Sequence, residues 1–470
     1  MKKMTKVILL PLVAFTISSC RFQDFFKRHG DSSAPTIELN CLTTPKVEKE
    51  SEEYYFDLSS NTANSYRSFA TKFSSLCFNT MRSSGFEDSL GVSIPDAYLC
   101  FALEGIISND AARADILSYL ELNNVDELKE SVKEILQCFC TLYKNEDNKY
   151  VGGYNLNSLW LNPDQVALVK EKDEQLYQDL EEIFDVSTYF EALTSEKANQ
   201  YMKDNGLKDM PVPEIKLDDD NPPAVGVMSA YYCMDYYPAE RKDLFKKQYK
   251  SGNHKMDYQV NNQTKKVDYI ETTDLNMVLE GDNFVGTFAN INNLQMGYFL
   301  PNDVNASAHS IFQDVVSYNY GPKNYVITSE YGNQYITNTF DVTVSAPYFL
   351  LDNEIELDYK TLASILPVIT KGGAAERMVE SKNGYPLLLS FLKQFSVMKY
   401  NYDGFYSCSV TIMGNKEGSA LEPEYKKFEL ILNHPYVFEV TKTIRLDHSF
   451  LNTWPFPIVI GEIVNPDYTD

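Results

Sequence analysis

The sequence predicts an α+β fold, and three observations carry that prediction. Apolar residues recur at helical spacing through the first half, runs rich in Val, Tyr, Phe and Thr dominate from residue 225 onward, and no internal repeat divides the chain. Helices first and strands later in one uninterrupted body suggest a single large domain. With 44% hydrophobic and 13% aromatic residues in a chain of 470, a large core can form and wholesale disorder is excluded.

The elements follow in order. Phe69, Phe73, Leu76 and Met81 mark one core-facing helix, and Leu99, Phe101, Leu103 and Ile106 mark a second. Residues 126–143 open with acidic side chains in the first turn and keep a 3.6-residue period through Leu128, Val132, Ile135 and Leu136. Residues 176–183 read as helix, and Ser195-Glu196-Lys197-Ala198 opens another with a carboxylate near its positive end. From Val225 the strings VGVMSAYY, YQVNN, KKVDYIE, NFVGTFANI, MGYFLPND and NTFDVTVSAPYF read as strands. Helix signal returns only around residues 359–366 and 386–394, and residues 395–402 then read as a strand.

The beginning of the chain has a different character. Lys2, Lys3 and Lys6 precede an apolar run from Val7 to Ile17, too short to span a bilayer as a helix. Ile17-Ser18-Ser19-Cys20 follows and resembles the lipobox of bacterial lipoproteins. That resemblance implies cleavage after residue 19 and a lipid chain on Cys20; an ordinary signal peptide with an incidental Cys is the alternative. Residues 1–19 then form the signal peptide, 20–64 the lipidated Cys and a polar tether, and 65–470 the domain. The expected location is a bacterial cell envelope, facing periplasm or exterior, with membrane contact through the anchor only.

Charge and composition remove several function classes. Lys and Arg number 42 against 66 Asp and Glu, for a net charge of -24, and no basic run interleaves with aromatics. Such a chain repels phosphates at long range, which argues against nucleic acid as a partner. After Cys20, Cys41, Cys77, Cys100, Cys138, Cys140, Cys233 and Cys408 are widely spaced and odd in number, so most read as small buried hydrophobes. The histidines have no zinc-site spacing, and Asp218-Asp219-Asp220 reads as a solvated acidic turn because no alternating oxygen-ligand loop surrounds it. Gly372-Gly373-Ala374-Ala375 reads as a loop leading into a helix. No GxSxG, GxGxxG or GxxxxGK[ST] string is present, so neither an enzyme nor a cofactor is expected.

Several strings, in order, resemble the serpin family. Asn433-His434-Pro435-Tyr436-Val437-Phe438 is similar to its D/N-H-P-F-x-F strand, and Val459-Ile460-Gly461-Glu462-Ile463-Val464-Asn465-Pro466 to its closing F-x-G-x-V-x-N-P. Pro95 to Leu103 resembles the S-P-x-S-I-x-x-A-L helix, with Ile94 and Ala97 in place of serines. Asn157-Ser158-Leu159-Trp160 resembles N-x-L-F/W, while Leu300-Pro301-Asn302-Asp303 and Ala346-Pro347-Tyr348-Phe349 are weaker matches in the expected order. One departure is Tyr237, which stands where the family has a Trp. The resemblance covers residues 65–470 and implies large mixed and antiparallel sheets, an exposed reactive loop, a monomer and a target protease as partner.

In that family a protease cleaves the exposed loop, which then inserts as a new strand in the main sheet and traps the acyl-enzyme. Insertion favours small side chains on the inward face of the hinge. Here the hinge corresponds to Gly404 onward, and its inward face to Phe405, Ser407, Ser409 and Thr411. Phe405 stands where the family has a small Thr or Ser, and the usual alanine-rich run is absent, so insertion is expected to be slow, partial or absent. A fixed edge strand or connection over 405–412 is the alternative. The bait loop lies between Met413 and Pro423. Counting on from Gly404 places the scissile bond at Gly418-Ser419, whereas counting back from His434-Pro435 places it near Glu424. Small residues there would favour elastase-like or subtilisin-like proteases, while Lys416 would suit a trypsin-like one. The resemblance thus implies a serine-protease inhibitor acting by suicide cleavage, with a non-inhibitory binding or structural lipoprotein as the alternative.

Overall fold

The computed structural model describes residues 41–43, 57–144, 149–169, 173–207, 210, 212–261, 263–328, 334–407, 425–447 and 449–468. Cys20 and the residues of the signal peptide lie outside them.

The helices predicted for the first half are present. Helix α1 spans Ser60–Ser83, with the Ser59 hydroxyl accepting from the Thr62 N–H, and it buries Tyr66, Phe69, Phe73 and Phe78. Helix α2, Pro95–Ile107, has proline in its first turn, where no hydrogen bond is lost, and is buried on nearly every side. Helices α3 (Asp110–Tyr119) and α4 (Val125–Phe139) are capped by Asn109 and Asn124. In α4 the periodic residues Leu128, Val132 and Ile135 are buried, but the helix stops at Phe139, short of the predicted end. Asp173 and Thr194 cap α5 (Glu174–Glu182) and α6 (Ser195–Asn205).

Three expectations for the second half need correction. Helices α7 (Ala239–Ser251) and α8 (His309–Val316) interrupt the strands; α7 buries only Phe245, so its sequence carries almost no apolar period. Helix α9 falls at Tyr359–Ile365, as expected. Residues 386–394, expected as helix, instead run without regular structure to 391 and then join a strand, because a neighbouring strand takes up the backbone hydrogen bonds. The glycine loop at 372–375 leads through turns into a strand and not into a helix.

Two sheets organise the body. The first runs in the order β1 (Cys41–Thr43), β7 (Val186–Tyr189), β5 (Tyr150–Leu161), β8 (Val225–Tyr236), β20 (Gly404–Ser407), β19 (Leu392–Asn401) and β17 (Phe349–Leu357), with β4 (Leu142–Lys144) paired to β5. The second runs β21 (Lys427–Ile431), β16 (Thr339–Pro347), β10 (Gln263–Glu280), β11 (Phe284–Asn290), β12 (Gln295–Pro301), β22 (Tyr436–Leu446), β23 (Ser449–Ile463) and β3 (Leu90–Ser93). Strands β2 (Asp57–Leu58), β9 (Lys255–Val260) and β13 (Gly321–Pro322) join its flanks, while β6 (Val166–Leu168) pairs with β18 (Val379–Ser381) and β14 (Tyr325–Thr328) with β15 (Gln334–Thr337).

The core lies between the sheets and among α1, α2, α4 and α8. A second apolar cluster, built from Tyr154, Leu156, Trp160, Tyr201, Met202 and Tyr232, packs α6 on the other face of the first sheet. Strand alternation explains both clusters: Tyr231 and Cys233 turn to the main core, Tyr232 and Met234 to α6.

The family-like strings occupy structurally demanding positions. Trp160 is fully buried, stacks on Tyr189 at 4.5 Å and donates its indole N–H to Ser158 Oγ. His434 Nε2 lies 3.0 Å from the Pro301 carbonyl oxygen, tying the start of β22 to the end of β12. Gly461 lies between β22 and β3, where a Cβ would stand 2.2 Å from the Phe438 ring and 2.8 Å from the Leu90 carbonyl oxygen. Only glycine fits there without displacement.

Candidate functional site: a slot in the first sheet

Strand β20 occupies the middle of the first sheet. Its four residues lie between β8 and β19, antiparallel to both, so β8 and β19 run parallel to each other. Gly404 pairs with Tyr236 and Asn401, and Ser407 with Cys233 and Met398. Gly404 adopts a φ of +146°, and a Cβ there would fall 2.1 Å from the Asp235 carbonyl oxygen. The turn from β19 into β20 therefore requires glycine.

Past Ser407, residues 225–232 of β8 and 392–397 of β19 have no strand between them among the described residues. A cavity of about 760 Å³ fills this part of the sheet. Helix α2 contributes Asp96, Cys100 and Glu104 to one wall, while α6 and the segment after it contribute Met202, Ile215 and Leu217 to the other. The slot is thus closed at one end by β20 and lined on its sides by two strands.

Hydrogen bonds bracket the closed end. Asp235 Oδ2 accepts the backbone N–H groups of Asn292, Asn293 and Leu294 at 3.1, 2.7 and 2.8 Å, and Oδ1 accepts the Asn293 side-chain N–H. This fastens β8 to the turn between β11 and β12. Burial still pushes the Asp235 carboxyl up to about 6, against those hydrogen bonds. Tyr237, Tyr400 and Tyr298 form a hydroxyl chain at 2.8 and 2.7 Å that joins the end of β8, β19 and β12. Tyr237 supplies the hydroxyl that starts this chain.

Along the slot, Gln394 bridges β19 to the start of α2. It accepts the Ser93 N–H at 3.0 Å, donates to the Ser93 carbonyl at 2.7 Å and lies 3.3 Å from Asp96 Oδ2. Burial drives the Asp96 carboxyl up to about 6 and that of Glu104 to about 7, although Ser93 and Ser108 hydrogen-bond to them. Sequence reasoning did not single out Asp96, Glu104, Asp235 or Gln394. A carboxylate inside an otherwise apolar helix was the available signal for Asp96 and Glu104.

Of the predicted hinge residues, Gly404, Phe405 and Ser407 lie together in β20. Phe405 is fully buried in the main core and Ser407 is also buried, while Tyr406 between them is half-buried. The inward face therefore falls on Phe405 and Ser407, in an interior strand and not at a sheet edge. Ser409, Thr411, Gly418 and Ser419 lie outside the described residues. Cys77, Cys138 and Cys233 are buried, and Cys100 and Cys140 are half-buried. Asp218, Asp219 and Asp220 are exposed in a turn, where Asp219 accepts the Ser195 N–H at 2.7 Å at the start of α6. No group of potential metal ligands is present among the described residues.

No protein-family model and no curated protein matches the sequence. Solved structures do match the fold. The thermophilic serpin tengpin in its native state aligns with a TM-score of 0.56 at 15% identity, covering 89% of this chain and 97% of that one. Serpin48 of the insect Tenebrio molitor aligns at 0.57 and 13% identity over 87% and 98%. AtSerpin1 of Arabidopsis, in its native stressed conformation, aligns at 0.58 and 15% identity over 87% and 100%. The chain described here has the serpin fold.

Proposed function

We propose that this protein inhibits serine proteases by suicide cleavage. A protease attacks the segment around Gly418-Ser419, and the released chain runs into the slot as an extension of β20, carrying the acyl-enzyme with it. The position of β20 carries this reading: it already lies between two parallel strands, and beyond its last residue the slot continues between 225–232 and 392–397. A strand added there pairs antiparallel with both neighbours, on the side of each that faces the slot. The period of two puts Ser409 and Thr411 on the face of Ser407, where small side chains suit the interior. Phe405 is the large exception, and the core accommodates it fully.

The target is a protease that accepts small or aliphatic residues, of elastase-like or subtilisin-like preference. Incubation of the purified chain with such proteases should yield a complex that survives SDS and heating, together with a cleaved fraction. Cleavage without any such complex would support the second reading, a non-inhibitory serpin-fold binding or structural protein, which the fixed seating of Phe405 favours. The lipobox string supports anchoring through Cys20 in a bacterial envelope, with the protein acting there as a monomer. Radiolabelled palmitate should label the wild type and not Cys20→Ser.

A further inference from the structure

The slot has a chemical character that strand insertion alone does not require. Helix α2 is apolar apart from a few positions, and two of these, Asp96 and Glu104, turn into the cavity with the Cys100 thiol between them. Their hydrogen-bonding partners are neutral: Ser93 and Gln394 for Asp96, Ser108 for Glu104. Among the described residues neither carboxylate has a cationic partner. Lys393, also on the cavity wall, is held by Glu354 and Glu356 at 2.8 and 3.0 Å. The opposite wall is apolar, with Leu193, Met202, Ile215 and Leu217.

We propose that this slot binds small cationic amphiphiles, alkyl or arylalkyl ammonium compounds whose head group pairs with Glu104 and whose apolar body lies along the α6 side. Charge complementarity sets the occupant. A carboxylate already removed from water has lost most of its solvation, so an ammonium that follows it in gains a strong partner. A neutral ligand gains only the apolar contacts, and an anion meets like charge. The cavity, about 760 Å³, lies in the size range of small-molecule pockets, roughly 300–1,000 Å³. Upward displacement of both carboxyls by burial agrees with acids that lack a counterion. The inference does not depend on protease inhibition: a chain whose loop never inserts presents the same slot, and failure to trap a protease leaves ammonium binding untouched.

The test uses the full chain with octylamine, octanol and octanoate at neutral pH. Sodium chloride at about 0.3 M suppresses adsorption to the acidic surface. Calorimetric titration should give octylamine an affinity at least about tenfold above that of octanol, roughly 1.4 kcal/mol, with octanoate weaker still. Octylamine should also slow modification of Cys100 by a thiol reagent while leaving the half-buried Cys140 unchanged. Glu104→Gln should bring octylamine down to the level of octanol. Equal binding of octylamine and octanol by the wild type, a comparison that needs no variant to fold, would overturn the proposal. So would undiminished octylamine binding by a folded Glu104→Gln protein, or protection of Cys140 in step with Cys100.

Discussion

Phe405 lies directly opposite Asp235 where β20 joins β8, and both side chains are buried. A phenyl ring beside a carboxylate is a poor pair unless the charge is satisfied elsewhere, and here the turn at 292–294 takes it up through three backbone N–H groups. The carboxylate thus faces its own hydrogen-bond donors, and the ring packs with the main core.

Asp235→Ala removes the acceptor for those N–H groups and detaches β8 from the second sheet. Leaving such buried donors unpaired costs about 1–3 kcal/mol each by itself, so urea unfolding should show a loss of several kcal/mol. A variant as stable as the wild type would mean that the turn finds other acceptors.

Gly404→Ala places a Cβ against the Asp235 carbonyl at a φ that side chains resist. A loss of about 1–3 kcal/mol is expected from backbone strain alone, together with slower formation of any protease complex. Phe405→Ala should cost about 3–5 kcal/mol, as for other fully buried aromatic side chains.

Tyr400→Phe deletes the central hydroxyl of the chain that joins Tyr237 and Tyr298. Both outer hydroxyls then lose a buried partner, at a cost of about 1–3 kcal/mol. Tyr237→Phe, which removes an end of the chain, should cost less; thermal unfolding of the two variants checks the order.

Stability should fall as pH rises through the neutral range. Burial raises Asp96 and Asp235 to about 6, Glu104 to about 7 and Glu439 to about 8. A carboxyl whose folded value is raised binds more protons folded than unfolded, so its contribution favours the folded state below the unfolded value, near 4, and is lost as pH climbs through the folded value. Between about pH 5 and 8 these groups all act in the same direction. Glu439→Gln should flatten the upper part of that profile, measured as unfolding free energy in urea at a series of pH values.

Gly461→Ala tests the closing string. The added methyl would meet the Phe438 ring and the Leu90 carbonyl oxygen, and overpacking of this kind costs about 1–3 kcal/mol.

Much of the fold was legible because its signals are local. The apolar periods around Phe69 and Ile135 and the β-rich runs after Val225 carry their structure within a few residues. Helix α7 was not legible, since it turns only Phe245 inward. Nor was the fate of residues 386–394, where pairing of β19 with β17 decides the outcome and the sequence alone shows a leucine-rich run. Alternation put Phe405 and Ser407 on one face, and both are buried in β20. The floor of the slot could not be read in advance, because Asp96 and Gln394 come together only through long-range packing of α2 against β19.

The central claim is that the slot beside β20 accepts the cleaved chain. The most direct measurement is the melting temperature before and after limited elastase cleavage within residues 413–423. A new strand completing the first sheet predicts a large rise. An unchanged or lower melting temperature after a clean cut in that segment would contradict insertion and leave a serpin fold that does not trap proteases.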